Sequence, residues 1–288
     1  MRITNLMLQN TLTSGLRGRL AAVARAASEV TTGNRIQTVS DGPIDAAQIM
    51  RMNSQLADID QYRRNGTFAT ATLSVEDTAL SSLNDVIQQA KQLAMSTTSS
   101  DPNDPDRQAA LSAMQQLRQQ VISLGNTRVG DQYIFGGDQS TTPPFTAAGA
   151  YVGDANTTQI AINDGVSVTI NHSGQPLFTD ALSALDGAIT QLQTGNAAQI
   201  QASVPALDAA GQQALGAQSQ TGARLQDIQT TGQQLATLSA QLADQRDAVQ
   251  QVDPATAIVE LQGEQSALER AYSVVGRVLQ TTLTDYLQ

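Results

Sequence analysis

Two narrow apolar stripes, one at each end of the chain, constrain the fold more than anything between them. Asp253-Pro254 reads as an N-cap followed by a first-turn proline. Apolar residues then recur at Ile258, Leu261, Leu268, Tyr272, Val275, Leu279 and Leu283. From Leu261 to Leu279 the positions alternate four and three apart, with Gln265 the one polar place, which is the seam of a coiled-coil helix. Continued to the last residue, the helix would be about 50 Å long at ~1.5 Å per residue. So narrow a stripe cannot be buried by one helix alone. The other end offers a partner: Leu12, Leu16, Leu20, Val23, Ala27 and Val30 share the spacing, and Gly33 stands where a helix stops. Residues 1–40 hold five arginines against Glu29, whereas 255–288 hold two arginines against Glu260, Glu264, Glu269 and Asp285. The sequence therefore predicts a terminal coiled coil of 1–40 with 255–288. Two unrelated amphipathic helices, each lying on its own globular core, would leave seams this long unexplained.

Composition agrees with thin helical layers. Aromatic residues are 3% of the chain, there is no Trp, and hydrophobic residues are 40%, where a thick core would use more large rings. The net charge is −10 and the pI about 4.4, so nothing makes a basic groove and nucleic acid is excluded as a partner. The absence of cysteine excludes disulfides and thiolate metal sites. No apolar run approaches the ~20 residues of a membrane span. Met1–Asn10 lacks the basic and apolar regions of a cleaved secretory signal, so any export is expected to proceed without one.

Between the ends the chain reads mainly as helix. Gly42-Pro43, with Asp45 in the first turn, opens a helix expected to reach about Met95, with Gly66 its weak spot. Asp104-Pro105-Asp106 opens another, striped by Leu111, Met114, Leu117, Val121 and Leu124 and ending near Asn126–Gly130. Tyr133–Phe135 is β-prone, and Gln159–Ile162 and Val166–Ile170 alternate around Asn163-Asp164-Gly165 as a hairpin does. Helix returns with Asp180 as a cap, breaks at Gly195-Asn196, and resumes from Ala197 to Val252. The fold class is mainly α: a discontinuous terminal coiled coil, a helical rod domain of 41–138 with 177–254, and a small β-rich insertion domain of 139–176.

Several segments resemble the flagellin family. RIQTVSDGPIDAAQIM from Arg35 is similar to the stretch that opens its first long rod helix. QYRRNGTFATATLSVEDTAL, through Arg64, Asn65, Glu76 and Leu80, is similar to its Arg-Asn segment and the helix after it, and LNDVIQQAKQLAM from Leu83 to the next. YIFGGDQSTTPPF from Tyr133 and the ending LTDYLQ from Leu283 resemble the branch that joins hook to filament more than filament flagellin itself. The resemblance implies an exported structural protein of the bacterial flagellum. Its implied partners are flagellin, the first hook-associated protein, copies of itself in a ring, and an export chaperone on the C-terminal region. No membrane partner is implied. It makes Leu12, Leu16, Leu20, Val23, Leu261, Leu268, Tyr272, Val275, Leu279 and Leu283 the expected assembly seam. The alternatives are a filament flagellin and, from another class, a soluble coiled-coil binding module.

Reactive chemistry is not indicated. His172, the single histidine, sits between Asn171 and Ser173 in a turn-like stretch and is expected at the surface. Asp101, Asn103, Asp104 and Asp106 are oxygen-rich, but Pro102, Pro105 and the missing distal Glu depart from an EF-hand loop, and helix capping accounts for the aspartates. Gly136-Gly137 lacks the context and Lys of a phosphate loop and reads as a turn. Gln89, Lys91 and Leu93 fall where flagellins resemble one another at a segment seen by an innate-immune receptor. That segment commonly carries Arg at the place of Gln89, so helix packing is the expectation here. No catalytic residue, cofactor or metal is predicted, and the chain is not expected to be an enzyme.

Overall fold

A computed structural model describes residues 2–97, 99 and 101–286, except for the side chains of 2–6, 8, 9 and 278–286. The elements are α1 (Arg2–Thr32), α2 (Pro43–Ser96), α3 (Pro105–Gly125), β1 (Arg128–Val129), β2 (Gln132–Tyr133), β3 (Gln159–Asn163), β4 (Val166–Thr169), α4 (Leu177–Thr194), α5 (Ala197–Gln201), α6 (Val204–Gln250) and α7 (Pro254–Tyr286). They form two compact units, residues 1–57 with 239–288 and residues 58–238, the division falling within α2 and α6. Residues 41–57 and 239–254, grouped with the rod by sequence, lie in the first unit.

The second unit contains the main core. Leu80, Leu83 and Ile87 from α2, Met114 and Val121 from α3, Phe178 and Leu185 from α4, and Leu207 from α6 are all fully enclosed. Each such side chain contributes roughly 1.5–3 kcal/mol relative to exposure. Helices α2 and α6 pack at ordinary contact distance here: a Cβ on Gly211 would meet Ile87 at 3.5 Å, and one on Gly66 would meet Ile228 at 3.5 Å. Gly66 therefore does not interrupt α2; it lies where α2 packs on α6.

Ionic and capping groups fix the register of these helices. Lys91 on α2 donates to Asp208 on α6 at 2.6 Å, and Leu93 packs against the core, so the segment expected to serve packing does so. Arg118 on α3 meets Asp186 on α4 at 2.5 Å. Asp104 caps α3 by accepting from the amides of Asp106 and Arg107 at 2.9 and 3.4 Å. Asp101 likewise accepts from the Asn103 amide at 2.9 Å.

The expected hairpin forms, with β3 antiparallel to β4 and Gly165 at φ 66° in its turn. Its inner side chains Ile162, Val168 and Ile170 pack on Ala69 and Leu73 of α2 and Ile228 of α6. β1 pairs with β2 just before the aromatic segment. That segment closes one end of the core: the rings of Phe135 and Phe145 lie 4.6 and 5.7 Å from Phe178, and Tyr151 is 5.1 Å from Phe145. Asn126 holds Phe145 through both backbone groups, each at 2.9 Å. Gly125 lies beneath that ring, where a Cβ would come within 2.6 Å of it. The Tyr133–Phe145 passage is thus a core-closing segment. Helix α4 begins at Leu177, earlier than expected, because Pro176 takes the N-cap position. Asp180 sits in the first turn and accepts from Gln213 at 3.0 Å rather than capping.

Two polar placements were not legible beforehand. His172 is half-buried, not a surface residue: its amide and Nδ1 lie 2.6 and 2.9 Å from Oε1 of Glu76, which is itself fully buried on α2. The Thr221 hydroxyl donates to the other Glu76 oxygen at 3.3 Å. This link ties the end of the β segment to α2 and α6 across 96 residues of sequence. Arg107, also fully buried, donates to the carbonyls of Leu192, Gly195 and Gln191 at 2.7, 2.6 and 3.0 Å. The Leu192 and Gly195 carbonyls are acceptors otherwise left open there, the Gln191 carbonyl also accepts the Gly195 amide at 2.8 Å, and the guanidinium sits at the negative end of that helix.

Candidate assembly site

The first unit is built from the chain ends and the two breaks beside them. Helix α1 stops because Gly33 takes φ 70°, a region an L side chain resists, while its amide still bonds to the Glu29 carbonyl at 2.8 Å. The segment that follows is clasped to the end of α6. Arg35 and Ile36 donate their amides to the Gln250 carbonyl at 2.7 and 3.3 Å, and Val252 returns one to Gly33 at 3.0 Å. The Arg35 guanidinium adds Asp45 at 2.9 Å and the Val249 carbonyl at 3.2 Å. Beneath these bonds Ile36, Ala46 and Ile49 form a small core with Val249. Asp41 accepts from the Thr38 amide and hydroxyl and from the Gln37 amide. The Thr38 amide foremost holds its carboxyl below the ordinary range. Asp253 accepts from the Ala255 amide at 2.8 Å and so opens α7.

Helices α1 and α7 pack along one another, and Arg19 meets Glu264 across them at 3.3 Å. Ala26 on α1 and Ala257 on α7 are the buried points of that contact. Leu12, Leu16 and Val23 on α1 and Leu261, Leu268 and Val275 on α7 are half-buried. Leu20 and Tyr272 are not enclosed within the single chain: they are 44% and 50% exposed. Leu279 and Leu283 lie on the α7 backbone, but their side chains fall outside the described ones. The inward row on α7 runs Ala257, Leu261, Glu264, Leu268, Ala271, Val275, each buried or half-buried. Alanine and a paired glutamate thus occupy places that a search for large apolar residues assigns to Gln265 and Tyr272.

The unit leaves much apolar surface open. Its buried apolar side chains, among the described residues, are Ala26, Ile36, Ala46, Ile49, Met52 and Ala257. Its exposed ones include Met7, Leu20, Val30, Ile258, Val259, Tyr272 and Val274, at 36–70%. On α7 these point away from the row that faces α1 as well as to its flanks, the pattern of a helix meant to be surrounded.

Comparison with known proteins agrees in kind. Residues 3–140 match the family described as the bacterial flagellin N-terminal helical region. The chain is 30% identical over 197 residues to flagellar hook-associated protein 3 of Escherichia coli, covering 66% of this chain and 62% of that protein. It is 25% identical over 112 residues to a flagellin of Listeria monocytogenes, covering 39% of each. Among solved structures, Bacillus cereus FlgL superposes with a TM-score of 0.62 at 22% identity, over 68% of this chain and 99% of that one. Residues 3–140 are thus similar to the flagellin N-terminal region, and the chain spans less than two thirds of the length of the hook-associated protein 3 that it matches. The similarity to hook-associated protein 3 is broader and higher than the similarity to this flagellin.

Proposed function

We propose that this chain is a structural component of the bacterial flagellum that forms the junction between hook and filament. It joins the first hook-associated protein on one side to flagellin on the other, in a ring of its own copies. Export precedes assembly, without a cleaved signal and with a chaperone on the C-terminal region beforehand. The observation that carries the reading is the α1–α7 pair, which buries little of its own apolar surface in the single chain. The similarity to hook-associated protein 3 supports the junction role over a filament role. Assembly runs through Leu12, Leu16, Leu20, Val23, Leu261, Leu268, Tyr272, Val275, Leu279 and Leu283. The exposed Leu20 and Tyr272 contact neighbours, and the half-buried positions hold the pair itself.

Deleting the gene in its host and examining the cells by electron microscopy tests this. The expected result is bare hooks with flagellin shed into the medium, since flagellin would be exported with nothing to polymerise on. Filaments of normal appearance would overturn the junction role.

A further inference from the structure

The β3–β4 hairpin sits over a small core of its own. Ile162, Val168 and Ile170 pack there on Ala69 and Leu73 of α2 and Ile228 of α6, whereas the large enclosed side chains of α3 and α4 belong to the main core. The two ends of the hairpin are tied to each other. The Ile170 amide donates to the Thr158 carbonyl at 3.0 Å, and the Thr158 amide donates to Asn171 Oδ1 at 2.7 Å. Along the hairpin, Asn65 of α2 donates to the Ala161 carbonyl at 2.7 Å. At its foot, Arg224 of α6 reaches the Asn171 carbonyl at 3.4 Å. One residue on, the amide and Nδ1 of His172 donate to Oε1 of Glu76 at 2.6 and 2.9 Å, and Nε2 lies 3.2 Å from Gln220 of α6.

Glu76 makes this foot conditional. It is fully buried, and taking a carboxylate out of water costs free energy that its accepted hydrogen bonds have to offset. Thr221 reaches Oε2 at 3.3 Å but has one hydroxyl hydrogen, for which the Ala217 carbonyl at 3.1 Å competes. The shorter bonds come from His172. Lifting the foot breaks them but returns Glu76 to water, and the recovered solvation narrows the gap between closed and open states. We infer that residues 158–172 form a flap latched by Glu76, which lifts from α2 and α6 as one piece while the main core stays closed. Opening bares Ala69, Leu73 and Ile228. The inference is independent of the flagellar reading and rests on the separate core, the joined ends and the buried carboxylate.

The chain has no cysteine, so one introduced thiol reports on one place in the full protein. Ala69→Cys puts it beneath the flap and Ala188→Cys in the main core; both alanines are fully buried. Under native conditions a thiol reagent should modify the first at least about tenfold faster than the second. Adding His172→Ala should speed modification at position 69 about tenfold or more, as the loss of a bond to a charged acceptor implies, and leave position 188 unchanged. In the cysteine-free parent, the His172 amide should be at least about tenfold less protected from exchange than the buried amides of α4. That measurement keeps the test decisive should a thiol variant fold poorly. Equal modification at the two positions, no acceleration at position 69 in His172→Ala, equal acceleration at both, or a His172 amide as protected as those of α4 would overturn the inference.

Discussion

Replacing Arg107 with methionine is expected to destabilise the packing of α3 on α4 by about 3 kcal/mol. The guanidinium makes three well-formed bonds, to Leu192, Gly195 and Gln191, and a marginal one to the Ser99 carbonyl at 3.5 Å. Charge-assisted bonds contribute roughly 1.5–3 kcal/mol each. Against them stands the cost of burying a cation without a carboxylate partner, several kcal/mol, which the substitution removes. What remains is the loss of the donor to the Leu192 and Gly195 carbonyls, about 1.5 kcal/mol each, while Gln191 keeps the Gly195 amide. Methionine keeps most of the stem's packing, so the loss is chiefly polar. Arg107→Lys should recover only part of it, because one ammonium cannot span the spread of carbonyls that a guanidinium fork meets. Amide exchange in the last turn of α4, on the full chain, reads the effect locally and avoids assuming a single transition for a chain of two units. A methionine variant within about 1 kcal/mol of the parent would refute this account of the buried charge.

Two further outcomes follow. Val275→Asp places a carboxylate against α1 beside the inward row of α7. Under the proposed role it should abolish filament attachment while exchange protection in residues 58–238 stays that of the parent; flagella of normal appearance by electron microscopy would remove Val275 from the seam. Asp104 accepts from the Ser99 hydroxyl and the amides of Asp106 and Arg107, which holds its carboxyl below the ordinary 3.8. Its contribution is therefore present above that value and lost as pH falls through the lowered one. Protection of the first turn of α3 should decline in acid, and Asp104→Asn should flatten that dependence; an unchanged titration in the variant would count against the cap.

Helices α2, α3 and α7 were legible in the sequence because each announces itself twice, by a stripe and by a start signal at Gly42-Pro43, Asp104-Pro105 or Asp253-Pro254. The hairpin was legible for the same reason, through alternation on both sides of Asn163-Asp164-Gly165. The start of α4 was not, because Pro176 takes the capping place and Leu177 and Phe178 resemble the apolar run that follows. Long-range polar links were hidden as well. Nothing local to Glu76 points to His172, 96 residues away, and nothing local to Arg107 points to Gly195, 88 residues away. Such pairs are set by tertiary placement, and single-sequence patterns carry only short-range periodicity. The seam was legible in part. Leu261, Leu268 and Val275 stand out, but Ala257, Ala271 and Glu264 complete the inward row. Alanine gives little hydrophobic signal, and a glutamate earns its place only through Arg19.

That last detail bears on function. A seam completed by alanine and a salt bridge buries less apolar area than one of leucine throughout, and area is what stabilises a coiled coil. The second unit encloses the large side chains and the aromatic cluster, and its order follows from its own contacts. The first unit encloses Ala26 and Ala257 where α1 meets α7, and leaves Leu20, Ile258, Tyr272 and Val274 open. Had α1 and α7 been optimised for each other, Leu20 and Tyr272 would lie inside the row. Under the proposed role, a helix pair arranged instead to leave them outside gains its remaining burial from another molecule.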